Sequence, residues 1–141
     1  MQFTTIIFSI ISAAATAFAA SGTAAYDTTY DTGSLSTLSI SCSDGINGLN
    51  TKGYPSLGSL PRFPRVGASS EVAGWNSPNC GKCYAVTWQT TTINVIAVDH
   101  ASEGWVLSRA ALDELTGGLA VMVGRFPVTW VPTAQSNCGL P

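Results

Sequence analysis

The chain has 141 residues, of which 10% are charged and 45% hydrophobic, and its six basic and eight acidic side chains leave a formal charge of −2. Low charge with that apolar content excludes a disordered chain, and six scattered basic residues leave no electrostatic footprint for nucleic acid. The length fits one domain.

Residues 1–20, MQFTTIIFSIISAAATAFAA, carry no charged side chain, have an apolar stretch over 3–11, and end in small residues with Ala17 and Ala19 in an A-x-A relation. That is the pattern of a secretory signal peptide, with cleavage expected after Ala19 or Ala20 and a single domain over 21–141. A spanning helix needs about 20 predominantly apolar residues. Ser and Thr interrupt this stretch and no second one follows, so no membrane association is expected.

In AAYDTTYDTG, 24–33, Tyr26 and Tyr30 stand four apart among Thr residues before Asp-Thr-Gly, which predicts a strand running into a turn. TLSISC, 37–42, alternates as a second short strand. The run 43–70, SDGINGLNTKGYPSLGSLPRFPRVGASS, is so dense in Gly, Pro, Asn and Ser that no regular element of any length is expected. CYAVTWQTTTINVIAVDHA, 83–101, is rich in Thr, Val, Ile and aromatics and predicts two strands joined by a turn near 89–91. SRAALDELTGG, 108–118, predicts a helix with Ser108 as its cap, Ala111, Leu112 and Leu115 on one side, and Gly117-Gly118 as its stop. AVMVGRFPVTWV, 120–131, returns to strand character with a break near Gly124 or Pro127. Several short strands, one helix and long loops point to a small closed or nearly closed β-barrel.

Four cysteines, Cys42, Cys80, Cys83 and Cys138, remain after the leader, and an even number in a secreted chain is the arithmetic of a disulfide framework. Cys80 and Cys83 form a C-x-x-C pair. A redox pair lies at a helix N-terminus, where the thiol pKa falls, whereas this one runs into a strand. A four-cysteine zinc site needs a second close pair, which Cys42 and Cys138 do not make. Three pairings are possible; if the neighbouring cysteines each reach outward, Cys42 joins Cys80 and Cys83 joins Cys138.

Taken together, CSDGINGL, KGYPSLGSLPRFP, AGWNSPNCGKC, INVIAVDHA and LTGG followed by GR resemble the cerato-platanin family of small secreted fungal proteins, over nearly the whole mature chain. The resemblance implies a mainly β fold, a six-stranded double-psi β-barrel with one or two short helices and long loops, related to the barrels of expansins. It implies the Cys42–Cys80 and Cys83–Cys138 disulfides. It further implies a non-catalytic protein that binds chitin or other wall oligosaccharides, loosens polysaccharide without hydrolysis, and is perceived by plants as an elicitor; a monomer without cofactor or metal is expected, with wall oligosaccharides and a plant receptor as the candidate partners. Two stretches depart from the family pattern: C-W-Q-L-T-Y is replaced by Cys83-Tyr84-Ala85-Val86-Thr87-Trp88, and an asparagine-rich, phenylalanine-containing stretch after VDHA by SEGWVLS.

Asp99 ends INVIAVD on the face of Ile93, Val95 and Ala97, so a carboxylate emerges where an apolar face meets loops; the resemblance aligns it with the groove aspartate of the family. The competing reading is a structural Asp that accepts backbone N–H bonds, and His100, on the opposite face, is read as structural. Glycosidases need two carboxyl groups, and Asp27, Asp31 and Asp44 are the partners available to Asp99. Sugar sites set aromatic faces against ring faces and short polar groups against hydroxyls. Tyr26, Tyr30, Trp75, Tyr84, Trp88 and Trp105 supply aromatics, with core packing the default for each and Trp105, read as a loop residue, the exception; Asn47, Asn76, Ser77 and Asn79 supply loop polar groups. The expected carbohydrate-binding set is Asp99, Trp105, Asn76, Ser77, Tyr26 and Asp31. A surface-active, self-assembling wall protein is the alternative, supported by low charge and a mean hydropathy of +0.26, and a polysaccharide hydrolase on the same barrel is the third reading.

Overall fold

The computed structural model describes residues 18–141, so the expected leader lies outside the described residues except for 18–20. Six strands form a closed barrel: β1 (Ala20–Tyr26), β2 (Val66–Ser69), β3 (Cys83–Trp88), β4 (Thr91–His100), β5 (Trp105–Leu107) and β6 (Phe126–Pro132). Their order around the barrel is β1-β5-β2-β4-β3-β6, and β6 closes onto β1. The pairs β1–β5 and β2–β4 are parallel and the others antiparallel, the mixed pairing of the expected double-psi barrel. Every strand has two partners, so the sheet has no free edge.

The interior is filled by alternate residues of facing strands. Tyr84 and Val86 of β3, Val95 of β4, Trp105 and Leu107 of β5, and Val128 and Trp130 of β6 are buried. Tyr84 and Trp105 meet edge to face with ring centroids 5.4 Å apart, and Trp105 and Trp130 do so at 6.4 Å. At the β2–β5 contact, a Cβ on Gly67 would lie 2.7 Å from the Val106 carbonyl oxygen, so that pairing needs a glycine.

Helix α1 (Arg109–Thr116) forms as its sequence predicts: Ser108 Oγ accepts the Ala111 N–H at 3.0 Å and Gly117 ends it in the left-handed region at φ 68°. The β3–β4 hairpin also forms, and Gln89 takes φ 51° in its two-residue turn. Four expectations are corrected. Residues 37–42 are no strand: Ser36 Oγ accepts the Leu38 N–H and starts a 3-10 turn over Thr37–Ser39, local bonding that competes with a ladder. The run 43–70 does hold an element, β2, whose four small or branched residues are all buried. Residues 105–107, read as loop, are strand β5. Residues 120–123, read as strand, form a helical turn, α2 (Ala120–Val123), because Asp113 Oδ1 on α1 accepts the Ala120 N–H at 3.0 Å.

Both disulfides are in place as Cys42–Cys80 and Cys83–Cys138, so the C-x-x-C cysteines belong to different bridges and no cysteine among the described residues is free.

Candidate functional site

The Cys42–Cys80 bridge ties the loop after Ile40 to the loop after β2, and these two loops carry the candidate site. At one end stands Asp99, close to the end of β4. Its Oδ1 accepts the Ser41 and His100 N–H groups, each at 2.9 Å, and its Oδ2 accepts the Tyr30 hydroxyl at 2.8 Å. Tyr30 is held in place from below, in a 3-10 turn over Thr28–Asp31 that starts where Asp27 accepts the Thr29 N–H at 2.8 Å. That bond and the Thr29 hydroxyl hold Asp27 below the ordinary carboxylate value. Burial, reinforced by the Asp99 hydrogen bond and charge, pushes the Tyr30 phenol well above its ordinary value, so it stays a donor. A carboxylate has about four lone-pair positions; three on Asp99 are taken, and one has no partner among the described residues.

Three residues along the chain from Ser41 lies Asp44, a reach of at most about 11 Å. Asp44 Oδ1 accepts the Trp75 indole N–H at 2.6 Å and fixes the ring, which is nevertheless 63% exposed. Ile46 beside it is 80% exposed. The two loops lock together because Asn47 N–H donates to Asn76 Oδ1 and Asn47 Nδ2 to the Asn76 carbonyl, both at 3.0 Å. Gly45 is obligatory at φ 78°: a Cβ there would stand 2.7 Å from Asn76 Oδ1 and 3.0 Å from Trp75 Cζ2. The result is a rigid, exposed aromatic ring with an amide and a carboxylate at its rim.

The expected site residues scatter. Asp99 and Asn76 lie at the two ends of this loop pair. Ser77 is buried, with its hydroxyl accepting the Asn79 N–H at 3.2 Å. Asp31 caps α1, its two oxygens accepting the Arg109 and Ala110 N–H groups at 2.7 and 3.0 Å. Tyr26 is half-buried at the end of β1. Trp105 is the clear correction: at 1% exposure it presents no face to a sugar, and it is a core residue of the barrel. His100 serves structure, its Nδ1 lying 2.6 Å from the Val72 carbonyl. Sequence reasoning passed over Trp75 as the exposed ring, although a tryptophan between Gly74 and Asn76-Ser77-Pro78 stands outside any strand or helix period. Tyr30 gave no such signal, since its contact with Asp99 spans 69 residues. A broad depression of about 530 Å³ between β1, β3 and β6 is lined by groups such as Ser21, Thr23, Thr87 and Gln89 and offers neither a carboxylate nor an aromatic ring.

The cerato-platanin family profile matches residues 22–140. The chain belongs to the cerato-platanin family. The heat-stable 19 kDa antigen of Coccidioides posadasii is 46% identical over 126 residues, 89% of this chain and 86% of that protein. Among solved structures, cerato-platanin 3 from M. perniciosa superposes with a TM-score of 0.82 at 41% identity, over 86% of this chain and all of that one. A cerato-platanin solved in solution and described as a fungal elicitor gives 0.75 at 37% identity, covering 83% and 96%. A Clavibacter michiganensis expansin variant in complex with cellohexaose shares the fold, with a TM-score of 0.56 at 18% identity, over 83% of this chain and 51% of that one. Cerato-platanins are secreted fungal proteins, and two disulfides suit an oxidising extracellular setting.

Proposed function

We propose that this cerato-platanin binds chitin-type wall oligosaccharides, loosens polysaccharide without cleaving it, and acts as an elicitor of plant defence through a host receptor. The observation that carries the reading is the exposed Trp75 ring, fixed by Asp44 and joined to Asp99 by one short loop. A fixed indole stacks on a pyranose face with little ordering cost, the neighbouring Asn76 amide serves hydroxyls of that ring, and the Asp99 carboxylate at the other end of the loop pair serves those of a further ring. The expansin solved with cellohexaose and the elicitor description of a solved relative support the glycan and host parts.

Non-hydrolytic action is favoured by how the carboxylates are used. A glycosidase needs one carboxyl group kept protonated as general acid. Asp31 is spent on the α1 N-terminus, Asp44 holds Trp75, and Asp27 is shifted in the wrong direction for an acid. Incubation with amorphous chitin or cellulose is therefore expected to disperse the material with no more reducing sugar than a heat-killed control releases. Sustained sugar release would move the protein to the hydrolases.

A second reading, self-assembly at interfaces, draws on α2, where Val121, Met122 and Val123 are 54%, 83% and 55% exposed. If that run drives assembly, Val121→Ser with Met122→Ser abolishes the lowering of surface tension while oligosaccharide binding persists; unchanged surface activity would remove the reading.

A further inference from the structure

Of the six basic residues, Arg65 forms a two-pronged pair with Glu114, Arg109 reaches Asp113 at 3.5 Å, and Arg125 donates to Thr23 Oγ1 at 2.8 Å. Arg62 pairs with no carboxylate among the described residues, and neither do Lys52 and Lys82. Both line one depression of about 410 Å³ with Pro78, Pro132, Thr133 and Gln135, and its lining includes no acidic side chain among the described residues. An adjoining depression of about 360 Å³ shares Lys52 and Gln135 and adds the Tyr54 ring, Leu49 and Leu140, with the chain-terminal Pro141 at its margin.

The walls are fixed. Cys80 and Cys83 belong to separate disulfides. Gln135 bridges the segment between them, its Oε1 accepting the Cys83 N–H at 2.7 Å and its Nε2 donating to the Gly81 carbonyl at 3.0 Å. Lys52 Nζ donates to the Cys80 carbonyl at 3.2 Å and keeps two N–H groups free. Burial alone pushes the Lys52 ammonium below its ordinary value. A cation that has lost water without gaining a counter-ion is stabilised by an incoming anion.

We propose that the groove across Lys52 and Lys82 binds a carboxylate-bearing sugar chain, a stretch of uronic-acid polysaccharide. Two lysines lining one groove suit a polymer that repeats its carboxylate on every ring. Tyr54 and Leu140 give an apolar surface for a ring face, which a bare inorganic anion does not use. Because the whole chain carries −2, attraction is local and falls with salt, the screening length being about 8 Å at physiological ionic strength. The groove lies on later stretches of the same two loops that carry Asp44 and Trp75, and it shares no lining residue with the Trp75–Asp99 site.

The test is a calorimetric titration of the folded protein with an oligogalacturonate at low and at physiological salt, repeated on the double variant Lys52→Gln, Lys82→Gln, whose amide at the first position retains a donor for the Cys80 carbonyl. The expected result is measurable binding that weakens several-fold with salt and falls roughly tenfold or more in the double variant. The melting midpoint and the chitin-oligomer titration stay unchanged. No binding of oligogalacturonate, equal affinity in the double variant, or displacement by inorganic phosphate at matched ionic strength would each overturn the assignment.

Discussion

Asp99 does two things with one carboxylate. It gathers the Ser41 and His100 N–H groups and the Tyr30 hydroxyl, and on the proposed reading its remaining acceptor position serves the sugar. Asp99→Asn preserves the shape but sets a donor against Tyr30, so stability is expected to fall by about 1–2 kcal/mol and oligosaccharide affinity by roughly tenfold. Melting curves and titrations on the same preparation read both; a lowered midpoint with unaltered affinity would confine Asp99 to structure. Two phenols add a pH dependence. Tyr30 is raised well above its ordinary value, and Tyr84 is pushed up to about 12 by burial and then by the Glu71 charge. Both hold their protons more tightly when folded, so their stabilising contribution is complete below about pH 10, the unfolded value. It is lost as pH rises from there through 12, and denaturant midpoints measured between pH 8 and 12 should decline over that window. Tyr84 and Trp105, one in each of the two departures from the family pattern, are packed ring edge to ring face in the core. Trp105→Ala is thus expected to cost about 3–5 kcal/mol of stability, whereas Trp75→Ala leaves the midpoint within about 0.5 kcal/mol and weakens binding. The reverse pattern in melting and titration would return Trp105 to the site.

Among the elements, those with strong local punctuation were legible in the sequence. Ser108 and Gly117-Gly118 bracket α1, and the run of Thr, Val and Ile over 83–101 makes the β3–β4 hairpin. Elements made by distant partners were not. β2 and β5 are four and three residues long, too short to show a period, and they exist because each is flanked by strands far away in the chain. Residues 120–123 have strand composition, yet Asp113 seven residues earlier caps them as a helical turn. The site follows the same rule: Asp99 was legible as a carboxylate ending an apolar strand face, while the exposure of Trp75 depended on the Cys42–Cys80 staple and the Asn47–Asn76 lock between loops. The Cys83–Cys138 bridge holds the C-terminal tail against β3 across 55 residues. Replacing both cysteines by Ala should lower stability by about 4 kcal/mol on the chain-entropy account, read from equilibrium denaturation; a change below about 1 kcal/mol would show that the tail is held by Gln135 and its hydrogen bonds alone.

At the scale of the whole molecule, a closed barrel holds a rigid frame, and the loops stapled to it carry what meets the outside. The Trp75 ring lies on one such pair of loops, with Asp99 at their base. On the proposed reading, binding without cleavage is a property of fixed geometry: a ring face to stack on, hydrogen-bonding groups around it, and Asp27, Asp31 and Asp44 each engaged with a backbone or indole N–H. Proton–nitrogen NMR of the labelled protein with an N-acetylglucosamine oligomer reads both halves of that statement in one sample, because the indole N–H of Trp75 and the anomeric protons of the sugar are observed together. The expected result is a saturable shift of the Trp75 indole resonance, absent in Trp75→Phe, while the sugar signals keep their chain length for a day or more. Binding that leaves the Trp75 resonance unmoved, or growth of new reducing-end signals beyond those of a heat-killed control, would contradict it.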